Sequence, residues 1–517
     1  MVKRTISQLL VLAVLIISMA ACSKQAEYTN VIPAKAAAVV SIDLKSLAVK
    51  AGLNDKGNDA MKEKMLNVFK SSMSATTFQQ LEKVMKNPSE SGIDITSPIY
   101  IFTDSSAVFS AAVVAKVSSE EKLQASLDIM VKEQIVQPVT ETNGIHFTTA
   151  GNTLLAFNQS AILALEISGE SQIEDAEKLV TTLMKQTADN SISKTNVFKK
   201  MQDQKGDIKF FGSMAALPSL YAQQIQQGLV GSNIKLKDIS AVGSLSFEKG
   251  KIVAKVESYT DNEEIKEMIK KQTKTIQKIN ESFLKYFPAN TLAFLNVGVN
   301  GNELYNMLLN NEEFKNNSSM IQGVQTKELF SAIDGDISIG LLNVTMSSSP
   351  TFVAYADVKD GKVLDLIYKN KQSLGLSNSY DILQLGKDEY VLKGVGTNVF
   401  FGIKNNQMFA TNDEMVYKNI GKTADKSIKD SAFASDMKGK NGFFVINVEA
   451  ILDLPVVKTF TEFGGEEMQM YTNLASKISY LSASSEGQAS EIDLCLKDKE
   501  VNALKQIVDF AKQFAGM

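Results

Sequence analysis

The chain has no tryptophan, one histidine, two cysteines and eight prolines among its 517 residues. Arg4 is its single arginine, so beyond it every side-chain cation is lysine. Each shortage closes a class of chemistry. Without arginine there is no planar fork for bidentate capture of carboxylate or phosphate, and no arginine finger. One histidine, His146, and two cysteines, Cys22 and Cys495, cannot assemble a Cys/His zinc set within one chain. Sugars that stack on tryptophan would have to use the 13 tyrosines or 26 phenylalanines instead. The formal charge of −4, which becomes −6 once Lys3 and Arg4 are discounted, denies nucleic acid the basic footprint it needs. No G-x-S-x-G, H-E-x-x-H or phosphate-loop pattern occurs, so no catalytic residue, cofactor or metal is assigned.

What is present begins with an address. Lys3 and Arg4 form a basic head, and Leu9 to Met19 form an almost unbroken apolar run. That run falls short of the roughly 20 residues needed to cross a bilayer as a helix. A basic head, a short apolar middle and small residues before a cut describe an export signal over 1–21. Ala20-Ala21-Cys22 resembles the bacterial lipobox. The resemblance implies that Cys22 is acylated through its sulfur and becomes the mature N-terminus, and two or three acyl chains suffice for stable anchoring. Ser23, where an aspartate is associated with inner-membrane retention, favours the outer membrane. Residues 22–30 read as a polar tether. With Cys22 so used, Cys495 has no intramolecular disulfide partner.

The body is written twice. VIPAKAAAVVSIDL (31–44) resembles YFPANTLAFLNVGV (286–299), with Pro33 aligned to Pro288, and matched stretches follow in the same order. GIDITSPIYIF (92–102) faces AIDGDISIGLL (332–342), SISKTNVFKKM (191–201) faces SIKDSAFASDM (427–437), and ISAVGSLSFEKGKIVAKV (239–256) faces ISYLSASSEGQASEIDLCL (478–496). The order predicts two tandem homologous domains, 31–283 and 284–517, each large enough to bury its own core. No Pro- or Gly-rich linker marks the junction, and 262–287 reads as one long helix.

Period-2 apolar alternation dominates both halves, punctuated by short polar turns such as Gly151-Asn152, Lys249-Gly250, Gly396-Thr397 and Gly487-Gln488. Helix starts with capping spacing fall at Ser118–Glu121 and Thr260–Glu263. Hairpins interleaved with helices predict an α+β fold, mainly antiparallel sheet with helices packed on one side.

The individual candidates are weak. GVGTNVFFG (394–402) lacks a third glycine and joins strand to strand, where a dinucleotide site joins strand to helix. Asp334-Gly335-Asp336 would need a Glu at its twelfth position to hold calcium, and Thr345 stands there. His146 has no partnering nucleophile motif and reads as structural. Cys495 reads as a quiet strand residue, with Asp493 on its face and Ile492, Leu494 and Leu496 on the other.

The lipobox, the opening YTNVIPAKAAAVVSIDLKSLAVKAGL (28–53), the length and the diverged second copy together resemble a family of Bacteroidales lipoproteins known only as a domain of unknown function. The resemblance implies a Gram-negative envelope setting and carries over no catalytic residue. Read with the absences, it gives the expectation of a non-enzymatic envelope binding or scaffold module, anchored to the outer membrane through Cys22. Its partners would be another envelope protein, a glycan or an apolar ligand. Two alternatives stand beside it: a hydrolase using carboxylates or a Ser–Lys pair, and a carrier of lipid or another apolar ligand.

Overall fold

The computed structural model describes residues 27–53, 74–103, 111–167, 172–220, 235–309, 326–346, 348–359, 361–369, 380–394 and 398–514, with a few single positions between these ranges. Strand β1 (Ala38–Ile42) organises the first unit. It pairs antiparallel with β2 (Ile99–Thr103) on one side and β8 (Ile208–Ser213) on the other. From β2 the pairing runs outward through β3 (Ala112–Lys116), β7 (Ala161–Glu166), β6 (Thr153–Phe157), β5 (Ile145–Ala150) and β4 (Thr140–Thr142). From β8 it runs through β9 (Ser240–Glu248) to β10 (Lys251–Tyr259). Alternation places Val39, Phe102, Val114, Leu163 and Leu165 in the interior. Helix Glu120–Lys132 adds Leu123 and Leu127 to a core with Ile95, Val117 and Phe157.

The same order of pairings occurs again. Strand β12 (Ala293–Asn300) lies between β13 (Ile333–Asn343) and β19 (Gly442–Asn447). One flank continues through β14 (Thr351–Val358), β18 (Gln407–Thr411), β17 (Asn398–Lys404), β16 (Glu389–Lys393) and β15 (Asp381–Gly386). The other continues through β20 (Ile478–Glu486) to β21 (Ala489–Leu496). Finer details match as well. Asp43 caps helix Leu44–Lys50 directly after β1, and Asn300 caps helix Gly301–Leu308 directly after β12. Isolated bridges join Pro33 to Ser191 and Pro288 to Ser427. Lys116 pairs with Asp94 at 3.0 Å, and Lys359 with Asp334 at 3.1 Å. The architecture is α+β with a large antiparallel sheet.

Contacts divide the chain elsewhere than at 283/284. One unit comprises Met1–Pro218, Leu236–Ala254 and Glu500–Met517, and the other Ser219–Lys235 and Lys255–Lys499. The first is closed by helix Ala503–Phe514, which packs on helix Leu44–Lys50 and β9. The second holds helix Glu263–Gln272, packed near helix Gly301–Leu308. In each unit, then, the helix that follows one half's last hairpin serves the other half's core. Sequence order alone does not show such a crossing.

The long helix expected over 262–287 is corrected. The helix stops at Gln272, β11 (Ile276–Gln277) pairs with Val299 and Gly298 of β12, and a 3-10 turn covers Leu284–Tyr286. Ile279, Phe283, Leu284 and Phe287 repeat at helical spacing, but each is drawn into the core of its unit. Gly298 permits the close strand, because a Cβ there would lie 2.3 Å from the Gln277 carbonyl oxygen. The amides of Asn280 and Glu281, which a helix would give to its own carbonyls, donate at 2.9 Å to the carboxylate of Asp336. The expected helix starts are shifted slightly: Ser119 and Asn262 are the capping residues.

Asp94 gives a pH test of its unit. Burial opposes its ionisation, but hydrogen bonds from Thr96, Lys116 and Ser97 together outweigh that and hold the carboxyl at about 2. A depressed carboxyl stabilises the fold above its ordinary value and loses that contribution as pH falls towards the folded value. Lowering the pH from about 4 to about 2 is expected to remove at most ~2 kcal/mol through this group, less what solvent already screens. Urea unfolding as a function of pH should show the loss, and Asp94→Asn should flatten it.

Candidate functional site

The described residues begin at Glu27, five residues beyond Cys22 in sequence, with a 3-10 turn, Glu27–Val31. Tyr28 anchors that turn. It is 3% exposed, its hydroxyl donates to the Pro98 carbonyl at 2.8 Å, and its ring lies 5.8 Å from that of Tyr100. Burial, then the neighbouring Tyr100, pushes the hydroxyl well above the usual phenol range. Beside Tyr28 lies a crevice of about 330 Å³, lined by Asn30, Asn158, Ser160, Gln186 and Thr187 among others.

Three loops far apart in sequence build it, and each carboxamide is fixed by the protein. Asn30 Oδ1 accepts from Ser191 Oγ at 3.1 Å and Ser193 Oγ at 2.7 Å. Asn158 sits at the β6–β7 turn, where its Oδ1 accepts from the amides of Ser160 and Ala161 at 2.9 and 3.0 Å. Gln186 donates through Nε2 to the Val31 carbonyl at 3.4 Å. With oxygens committed on Asn30 and Asn158 and nitrogen committed on Gln186, what remains is two amide donors and one amide acceptor. Among the described residues, no lysine, aspartate or glutamate lines the crevice. The arrangement can hydrogen-bond a neutral polar group in both directions, and it contains no base beside its serine to make a nucleophile.

A family model described as a domain of unknown function, DUF4836, matches residues 28–504. The chain belongs to this family. No curated protein matches the chain. Among solved structures, crystal form I of TP0453 is 11% identical, over 49% of this chain and 88% of that one, with a TM-score of 0.27. Crystal form III is 10% identical, over 49% and 89%, with a TM-score of 0.26. Likenesses at this level carry no weight for function.

In this DUF4836 chain the sequence candidates fall apart from one another. Cys22 and the Gly396-Thr397 turn lie outside the described residues, although β16 and β17 on either side of that turn do pair strand to strand. His146 is on β5, stacked on Phe157 at 4.7 Å with its Nε2 3.2 Å from Glu120. Asp334 is taken by Lys359, and the fully buried Asp336 accepts from the Asn280 and Glu281 amides and from Asn296 Nδ2. Those carboxylates hold a turn together. Ser46 and Lys50 do lie together, but both bond the buried Asp207, at 2.5 and 2.7 Å, and Asp207 also accepts from the Phe247 amide at 2.7 Å. The lysine ammonium is thus committed to a carboxylate and is no base for the serine.

Cys495 is buried on β21 with Asp493, while Ile492 on the opposite face is 48% exposed, so the polar-bearing face points inward. The Cys495 thiol and the carboxylates of Asp436 and Asp493 lie within 4.8 Å of one another, a donor set able to hold a metal ion. Tyr480 donates to Asp436 at 2.8 Å; burial, with Cys495 and Asp436 beside it, pushes its hydroxyl up. The carboxamides of the crevice were missed by motif reasoning. One signal could have found them: Thr187-Ala188-Asp189-Asn190-Ser191-Ile192 recurs as Thr423-Ala424-Asp425-Lys426-Ser427-Ile428, so the segment following Gln186 is the best-preserved part of the repeat.

Proposed function

We propose that this chain is an envelope lipoprotein, held at the outer membrane by acylated Cys22, whose two tandem homologous domains form a non-enzymatic binding module. The crevice beside Tyr28 takes a neutral, hydroxyl-rich ligand of the glycan class. The observation that carries this reading is the uncharged lining, with two amide donors and one amide acceptor held in place by their own second hydrogen bonds. The duplication is supported by the repeated strand order and the matched Pro–Ser bridges. The anchor is supported by the residues before Cys22.

Asn30→Asp with Asn158→Asp tests the crevice. Aspartate keeps the oxygen that holds each loop and replaces the donor by an acceptor. Neutral oligosaccharides screened by calorimetry should include a binder, and the double variant should weaken it at least tenfold with the thermal midpoint kept. An absence of saccharide binding, or equal binding by the variant, overturns the ligand class. Separately, Cys22→Ser should abolish labelling by a fatty-acid probe and move the chain from the membrane to the soluble fraction. Retention in the membrane would refute the anchor.

A further inference from the structure

The crevice has a counterpart with opposite chemistry. Strand registers and bridges fix the corresponding positions in the second half. Asn158 follows Phe157, which pairs with Ile162, and Lys404 follows Ile403, which pairs with Met408. Asn30 lies three residues before the bridged Pro33, and Lys285 lies three before the bridged Pro288. Gln186 lies five before Ser191, and Lys422 lies five before Ser427. All three carboxamides of the first half are therefore lysines in the second. Two further neutral residues of the same loop, Asn190 and Ser193, correspond to Lys426 and Lys429.

All three lysines bond to one segment, 419–424, Lys404 and Lys422 through their ammoniums and Lys285 through its backbone carbonyl. Lys404 Nζ lies 3.4 Å from the Ile420 carbonyl, and Lys422 Nζ lies 3.0 Å from Asn419 Oδ1. The Lys285 carbonyl accepts from the Ala424 amide at 2.9 Å, and its ammonium lies 5.0 Å from the centre of the Tyr286 ring. Among the described residues none of the three forms an ion pair. Of the acids on these segments Glu414 is paired with Lys418, while Glu389 accepts from the Tyr417 hydroxyl, Asp413 from the Met415 and Val416 amides, and Asp430, which stands where the first half has Lys194, from the Ser427 amide. Asp425 remains in the loop, but Asp189 occupies the same place in the first half and does not alter the difference.

We propose that Lys285, Lys404 and Lys422 form a binding site for a phosphate-bearing group. The three positions they match line one crevice in the first half, the Lys404 and Lys422 ammoniums repel each other beside Asn419 and Ile420 unless an anion joins them, and each ammonium keeps donors beyond the bond it makes. In a chain without arginine beyond Arg4, lysines are the available phosphate binders, and these three come from separate loops. The inference does not rest on the ligand of the first crevice or on the acylation of Cys22.

The test uses the purified chain and inorganic pyrophosphate, followed by calorimetry at low and moderate salt. The wild-type chain should bind, more weakly as salt rises. Lys285→Asn, Lys404→Asn and Lys422→Gln together install the first half's residues and should weaken binding at least thirtyfold, with an unchanged thermal midpoint. Lys199→Gln, Lys249→Gln and Lys274→Gln remove the same charge elsewhere and should cost less than threefold. Lys404→Asn alone, with an intermediate loss, keeps the test decisive if the triple variant folds poorly. A second arm uses phosphatidylcholine vesicles with and without phosphatidate. Lysine-dependent binding to phosphatidate, displaced by pyrophosphate, supports the site and identifies a lipid phosphate as its source. Pyrophosphate binding without vesicle binding supports it with a free phosphate. No binding of either, or equal losses in the two triple variants, overturns it.

Discussion

Asp336→Ala is expected to destabilise the unit containing β12 and β13 by about 3–5 kcal/mol, read from denaturant unfolding. Asp336 is fully buried, with one oxygen accepting from the Asn280 amide at 2.9 Å and the other from the Glu281 amide at 2.9 Å and Asn296 Nδ2 at 3.4 Å. Removing it strands two backbone donors, each costing about 1–3 kcal/mol when no replacement is at hand. It also frees the turn in which Glu281 holds a φ of +62°, a conformation that a non-glycine residue adopts only when its surroundings impose it. Asp336→Asn should cost less, since one oxygen survives. Burial, the largest cause, moves the Asp336 carboxyl above its usual range against its amide donors. Its linkage therefore opposes that of Asp94: stability from this group is greatest below the ordinary carboxyl value and declines to a plateau as pH rises through the folded value. A loss under about 1 kcal/mol in the alanine variant would show that the turn is held by other contacts.

Truncation after Lys499 is expected to cost the first unit about 3–5 kcal/mol while leaving the second nearly unchanged. The removed segment does more than end the chain. The Val501 carbonyl accepts from the Gly250 amide at 3.0 Å, and Asn502 Nδ2 donates to the Phe247 carbonyl at 2.9 Å. Ala503 is completely buried, and the helix after it covers helix Leu44–Lys50 and β9. Several half-buried apolar side chains at about 1 kcal/mol each, plus these two hydrogen bonds, give the magnitude. Hydrogen exchange separates the outcomes. Protection should fall across 240–248 and 44–50 and persist across 293–300. Equal loss in both places, or none, would contradict the assignment of Glu500–Met517 to the first unit. By the same reasoning a fragment ending at 283 should be markedly less stable than the whole chain.

Much of the strand pattern is legible because it is local. Gly151, Gly250 and Gly487 each take a positive φ at the hairpin turns where their sequence context places them. The pairing of Pro33 with Pro288 in the sequence also marks two equivalent bridges in the structure. The stretch 262–287 misled for a definite reason: its apolar residues repeat at helical spacing, yet β11 and the carboxylate of Asp336 interrupt it. The inward face of β21 was equally unreadable. Strict alternation says that Asp493 and Cys495 share a side, and only the layer beneath says that this side is buried.

The sequence by itself determined the chemical repertoire, the hairpin rhythm and the two-fold writing of the chain, because composition and short-range periodicity are properties of neighbours. Tertiary structure alone decided that Asn30, Asn158 and Gln186 share one crevice, that Lys285 through its carbonyl and Lys404 through its ammonium both bond to the segment that carries Lys422, and that the last helix completes the first unit. These positions lie tens to hundreds of residues apart, and loop closure over such spans leaves no local mark on the residues it brings together.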